Sequence, residues 1–193
     1  MKDNNTQGKE GYTEKQKNYI LSFVRNTVRN KLERNKNITI TPTPEYLKEE
    51  RSCFVTLHSK NGTLRGCIGH IMAFEPLYDN LKRNALNAAF QDSRFTPVKS
   101  ADEFFTLSIE VSILTPAEKV DSYNDIVIGE HGVILKNGGR NSVFLPQVAP
   151  EQGWDIPTTL MHLSMKAGLP PNAWESPNTQ FKVFKAIVFG EST

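Results

Sequence analysis

Residues 52–69 read Ser52-Cys53-Phe54-Val55-Thr56-Leu57-His58-Ser59-Lys60-Asn61-Gly62-Thr63-Leu64-Arg65-Gly66-Cys67-Ile68-Gly69, and the pattern in them decides the kind of fold around them. Ser52 to His58 alternates, and the alternation resumes from Thr63 to Gly69, the period of a half-buried strand. Asn61-Gly62 between the two runs signals a type I′ turn, since both residues tolerate positive φ. A two-residue turn pairs His58 with Arg65, Leu57 with Gly66, Thr56 with Cys67 and Val55 with Ile68. Period two then sorts the side chains. Cys53, Val55, Leu57, Leu64 and Ile68 share the apolar face, and Thr56, His58, Arg65 and Cys67 share the other. One cysteine goes to the core and one to a polar surface.

Outward from this hairpin, the pattern changes to helical on both sides. Thr13 with Gln16 three positions on is a capping box, opening a helix from Glu14 to about Arg34. Tyr19, Ile20, Phe23, Val24, Val28 and Leu32 fall on one broad face of it. Lys15, Arg25, Arg29 and Lys36 cluster opposite, as a solvated face or a basic ridge for phosphates. Thr41-Pro42-Thr43-Pro44 makes a stiff extended connector. Pro76 to Gln91 reads as a second helix, with Leu77, Leu81, Ala85 and Ala88 in an i, i+4 series. Thr106 to Leu114 alternates as a strand with Glu110 and two serines on its polar side. Ile126 to Leu145 predicts a short strand and then a hairpin around Asn137-Gly138-Gly139-Arg140. Asp155 caps a helix from Ile156 to Ala167, which Gly168 and Pro170-Pro171 stop. Phe181 to Phe189 is a final strand. The expected class is α+β, mainly antiparallel sheet with three to four helices, in two lobes sharing a cleft. Residues 1–12 are polar and read as a disordered tail, leaving 13–193 as a single domain.

Composition bounds the function. Hydrophobic residues make up 38% of the 193 and charged residues 23%, with a net charge of +2. That is a globular balance and too small an excess to imply nucleic acid by itself. No apolar run reaches the ~18 residues of a membrane span. Two cysteines form no disulfide framework, so a soluble cytoplasmic protein is expected. Cys67-x2-His70 and Cys53-x4-His58 offer ligand types, but no second pair completes a metal set, and no metal is expected. No GxGxxG follows a strand and no Walker A loop occurs, so the residues call for no nucleotide cofactor.

Cys67 is the candidate nucleophile. A thiol titrates near ~8.5 in isolation and needs a positive neighbour or a base to react at neutral pH. Arg65, two residues away on the same strand face, supplies charge. His58, diagonal to Cys67 in the expected register, or His131 brought in by the fold supplies a base. Gly66 and Gly69 allow a ligand close to the backbone, with N–H groups as oxyanion donors. The alternative is structural: the glycines serve a bulge or tight contact, and Cys67 is a small packed residue. His131, between Gly129-Glu130 and Gly132, is an acid–base group or a turn cap. Asp92 and Arg94, flanking Ser93, form a loop clamp or bind an anion or carboxylate. Trp154 is a lobe anchor or a stacking platform.

Six strings in order resemble the AMMECR-one family, named for an Alport-syndrome chromosomal region. They are LRGCIG at 64–69, AAFQDSRFTPV at 88–98, VSILTP at 111–116, IGEHGV at 128–133, LPQVAPEQGWD at 145–155 and KAGLP at 166–170. The resemblance spans about Arg51 to Glu191. It implies an α+β domain in two lobes, points to LRGCIG as the segment of functional interest, and suggests a Memo-like protein and a radical-SAM protein as partners. It brings no reaction with it. The leading expectation is therefore an enzyme acting through Cys67 on a small molecule or protein. The alternatives are a nucleic-acid-binding module on the basic face, with Arg94 or Arg140, and a non-catalytic partner of a modification system.

Overall fold

The computed structural model describes residues 11–34 and 43–191. They divide into two compact units, one formed by the chain up to Ile113 with Ile187 onward, the other by Leu114–Ala186. The first unit contains α1 (Glu14–Leu32), β1 (Cys53–His58), β2 (Leu64–Gly69), α2 (Leu77–Phe90), α3 (Ala101–Phe105) and β3 (Ser108–Leu114). The second contains β4 (Glu118–Val120), β5 (Gly132–Asn137), β6 (Arg140–Phe144), α4 (Val148–Gln152), α5 (Ile156–Lys166) and β7 (Thr179–Phe184). The chain then returns to the first unit in β8 (Ala186–Gly190). Sheet order is β2-β1-β3-β8 in the first unit and β4-β7-β5-β6 in the second. This is an α+β fold with antiparallel sheet, as the alternating segments predict.

In the first unit α1 packs on α2, and α2 lies on β1 and β2. Ile20, Val24 and Val28 of α1 meet Leu81 and Ala85 of α2 and Val55 and Leu57 of β1 in one buried cluster. Each such aliphatic side chain removed from water contributes about 1.5–3 kcal/mol. The Thr13 capping box forms as expected, with Thr13 Oγ1 accepting the Gln16 N–H and Gln16 Oε1 accepting the Thr13 N–H at 2.8 Å. Tyr12, at the end of the stretch read as a tail, packs against Tyr46 and Phe189, and burial pushes its phenol up to about 12. Lys36 and the Thr41-Pro42 half of the connector lie outside the described residues. The second unit closes over its own cluster, which includes Val133, Leu135, Leu160, Leu163 and Phe181.

The structure departs from the expected elements in four places. Ile126–Ile128 is not a strand but the approach to a turn, since the Ile126 N–H is spent on Tyr123 and the His131 N–H on Val127. The single last strand is two, broken at Lys185, whose N–H and C=O both bond to Thr115. Helices α3 and α4 and strand β4 were not legible, being five, five and three residues long. The first hairpin does not turn through a type I′ pair. Gly62 N–H bonds to Ser59 C=O across Lys60-Asn61, and Gly62 alone takes positive φ, at +79°. That is a type I turn followed by a left-handed residue, and it inserts one more residue than a two-residue loop.

Candidate functional site: the clamped edge strand around Cys67

β2 is the edge of its sheet, and its pairing with β1 is Val55 to Ile68, Thr56 to Cys67 and Leu57 to Gly66. Those three pairs match the expected register. Beyond them His58 lies opposite Leu64, not Arg65, because β2 carries an irregularity there while β1 remains regular against β3. The extra residue introduced by the turn is absorbed at Arg65.

Cys67 is held by its main chain from the open side of the sheet. Its N–H donates to Asp92 Oδ2 at 2.8 Å, and its C=O accepts from Arg94 Nη2 at 3.0 Å. Both groups therefore point away from β1. The pair Thr56–Cys67 is thus a non-hydrogen-bonded pair, the kind in which opposing side chains come closest. Thr56 Oγ1 donates to Cys67 Sγ at 3.3 Å. Cys67 is half-buried, Thr56 buried.

The 92–94 loop takes the place of a neighbouring strand at this one residue. Arg94 also grips Asp92 through Nε at 2.9 Å and Nη2 at 2.7 Å, and the Arg94 N–H donates to Asp92 Oδ1 at 3.2 Å. Asp92 is only 6% exposed. Its carboxyl is held well below the usual carboxylate range, chiefly by the Arg94 guanidinium and further by the Cys67 and Arg94 N–H groups. A buried carboxylate is tolerable only with such partners. Arg94 is raised above its ordinary value, first by Asp92, with the Cys67 side chain contributing in the same direction. Of the two readings of Asp92 and Arg94, the geometry is that of a clamp, and its target is Cys67 itself.

Arg65 does not supply charge to the thiol as expected. Its Nη2 donates to Glu103 Oε1 at 2.6 Å, and Glu103 Oε2 accepts the Lys99 N–H at 2.9 Å. The Lys99 N–H and then Arg65 hold the Glu103 carboxyl below its usual value. Glu103, 38 residues on in a helix too short to show periodicity, left no local signal. The two glycines have packing causes. A Cβ at Gly66 would lie 2.2 Å from the Ala88 carbonyl oxygen on α2, and one at Gly69 would lie 2.3 Å from the Phe54 ring and 2.6 Å from Cys53 C=O. His58 lies on β1 with no hydrogen bond joining it to Cys67 among the described residues. His131 belongs to the second unit, where its Nδ1 accepts the Val127 N–H at 3.1 Å, as the turn-cap reading has it. Cys53 is fully buried and hydrogen-bonded to Asn80 Oδ1 at 3.0 Å, and burial pushes its thiol up to about 12.

Other expected features are placed elsewhere. Arg25 leaves the basic ridge, gripping Glu191 through two nitrogens and donating to Leu107 C=O at 2.7 Å. Trp154 stacks on His162 within the second unit, ring centroids 4.0 Å apart and 11° from parallel. Among the described residues, no group of three or more His, Cys, Asp or Glu side chains could hold a metal ion, and no helix is long and apolar enough to cross a membrane.

The family described as AMMECR1 matches residues 21–189. The chain belongs to the AMMECR1 family. This AMMECR1 protein is 39% identical over 180 residues to protein MK0488 of Methanopyrus kandleri, covering 90% of this chain and 87% of that one. It is 38% identical over 180 residues to protein MJ0810 of Methanocaldococcus jannaschii, covering 90% and 89%. Its fold matches the crystal structure of the uncharacterized protein PH0010 from Pyrococcus horikoshii, with a TM-score of 0.73, 34% identity and 90% of each chain covered. Both halves of the clamp, LRGCIG and Asp92-Ser93-Arg94, lie inside the residues that match the AMMECR1 family.

Proposed function

We propose that this AMMECR1 protein is a cytoplasmic, cysteine-dependent enzyme in which Cys67 is the nucleophile toward an electrophilic carbon of a small molecule or protein. One observation carries the reading: a half-buried thiol on a clamped edge strand, with the Thr56 hydroxyl 3.3 Å from Sγ. Cys67 loses its proton, the thiolate attacks, the S–C bond forms, and the leaving group departs with its electron pair. Thr56 donates to the sulfur, and the Arg94 guanidinium, anchored on the Cys67 carbonyl, fixes the strand that carries it. His58, on the same sheet face, is the available base. His131 takes no step, because its Nδ1 closes its own turn. Arg65 has a positioning role through Glu103.

Alkylation tests this directly. With iodoacetamide at neutral pH, Cys67 should be carbamidomethylated at least ~100-fold faster than Cys53, whose thiol burial keeps protonated. Peptide mass spectrometry separates the two sites. Equal, slow labelling of both in the folded protein would sink the nucleophile reading.

A further inference from the structure

We propose that the Cys67 site selects a substrate bearing a cationic amino or guanidino group, and that Glu110 is the residue that reads it. The inference rests on the reading of Cys67 as a reactive thiol and adds the substrate class.

Strand register builds the site. Thr56 is opposite Cys67 on one side and opposite Glu110 on the other. Directly opposed residues of antiparallel strands share a face, and the Thr56–Cys67 hydrogen bond shows which face this is. Thiol, hydroxyl and carboxylate therefore form one row across β2, β1 and β3. His58, two residues from Thr56 and opposite Ser108, occupies the same face in the next row. At ~4.8 Å per strand spacing, the Cys67 and Glu110 backbones lie roughly 10 Å apart. At the β8 edge the adjacent residue is Gly190, where even a Cβ would come within 3.6 Å of the Glu110 Cβ. Gly190 itself places no side chain over the carboxylate.

Charge then sets the preference. The two arginines beside Cys67 are both compensated, Arg65 by Glu103 and Arg94 by Asp92. Among the described residues the Glu110 carboxylate has neither a hydrogen bond nor an ion pair. It is half-buried on a strand with a neighbour on each side, a position where glutamate is disfavoured, and its carboxylate is left without a protein cation among the described residues. An ammonium or guanidinium carried a few carbon atoms from the electrophilic centre would satisfy it while Cys67 reaches that centre. Ordinary anionic substrates would be repelled.

Methanethiosulfonate reagents of three charges test the inference on the full chain. In each, the Cys67 thiolate attacks the sulfenyl sulfur, a mixed disulfide forms, and methanesulfinate leaves with the electron pair of the broken S–S bond. Rates at Cys67, read by peptide mass and divided by each reagent's rate with a small free thiol, should favour the trimethylammonium-ethyl over the sulfonatoethyl reagent. The expected ratio is on the order of fivefold at low ionic strength. It should fall toward one at ~0.5 M salt in the wild-type protein and in Glu110→Gln at low salt. A ratio at or below one in the wild type, or one unchanged by both salt and Glu110→Gln, overturns the substrate class. Failure of the neutral methyl reagent to modify Cys67 at all overturns the nucleophile reading, and this inference with it.

Discussion

A methyl group at position 66 has nowhere to go. The Ala88 carbonyl oxygen would be 2.2 Å from it, and that oxygen belongs to the backbone of α2, which cannot swing aside as a side chain could. Gly66→Ala must push α2 off β2, at a cost of about 3 kcal/mol, near the top of the usual range for overpacking. Urea unfolding followed by circular dichroism measures it, and a loss below ~1 kcal/mol would mean α2 moves freely. Asp92 makes a second case in which a single residue holds the site. Because its folded pKa is depressed, its contribution is fully present above the ordinary carboxyl value near ~3.9 and is lost as pH falls through the folded one. Asp92→Asn should destabilise the protein by about 2 kcal/mol, the value of hydrogen bonds to a charged group. The gap between variant and wild type should be flat from pH 8 to 5 and shrink below ~4. A gap that shrinks between pH 8 and 5 would assign the effect to another group.

At the scale of the element, the hairpin divides into what its residues announce and what they do not. The alternation from Cys53 to His58 is enough to send Cys53 to the core and Thr56 to the other face, and the pairing of Thr56 with Cys67 holds because the extra turn residue is absorbed at Arg65. The turn is different. Both a type I′ turn and a type I turn with a following left-handed residue put glycine at position 62, so Asn61-Gly62 does not distinguish them. What tips the balance is the Asn61 side chain, whose Oδ1 accepts the Thr63 N–H at 3.1 Å. The one-residue difference surfaces as the irregularity at Arg65, which frees that side chain for Glu103. The clamp was half legible: Asp92 and Arg94 stood out as a pair, but their target is 25 and 27 residues away, beyond any periodicity. Gly62→Ala tests the turn. Nothing lies within 4 Å of a Cβ there, so the cost comes from φ alone, about 1 kcal/mol by urea titration. A neutral result would mean the turn relaxes to another form.

For the molecule as a whole, the consequential feature is that one unit is continuous in sequence and the other is not. Leu114–Ala186 holds both its sheet and its core within 73 consecutive positions, counting from 114 through 186. The first unit is completed only when β8 returns to β3. With β8 come Phe189, which joins the buried cluster, and Glu191, whose carboxylate binds Arg25 of α1 and accepts the Ile109 N–H at 2.9 Å. The sequence pattern concealed this because Phe181 to Phe189 is one run of strand-forming, mostly apolar residues, and no glycine or proline marks Lys185, where the chain changes sheets. Deleting residues 187–193 therefore removes an edge strand, a core aromatic and the partner of a partly buried arginine from one unit. The buried ring alone contributes about 1.5–3 kcal/mol. Hydrogen exchange should then show β1 and β3 amides losing protection by ~100-fold or more, while β5 and β7 amides keep theirs, since their ladder runs entirely between residues 132 and 184. Equal loss across both sheets would mean that the two units unfold as one cooperative block, whatever their separate cores.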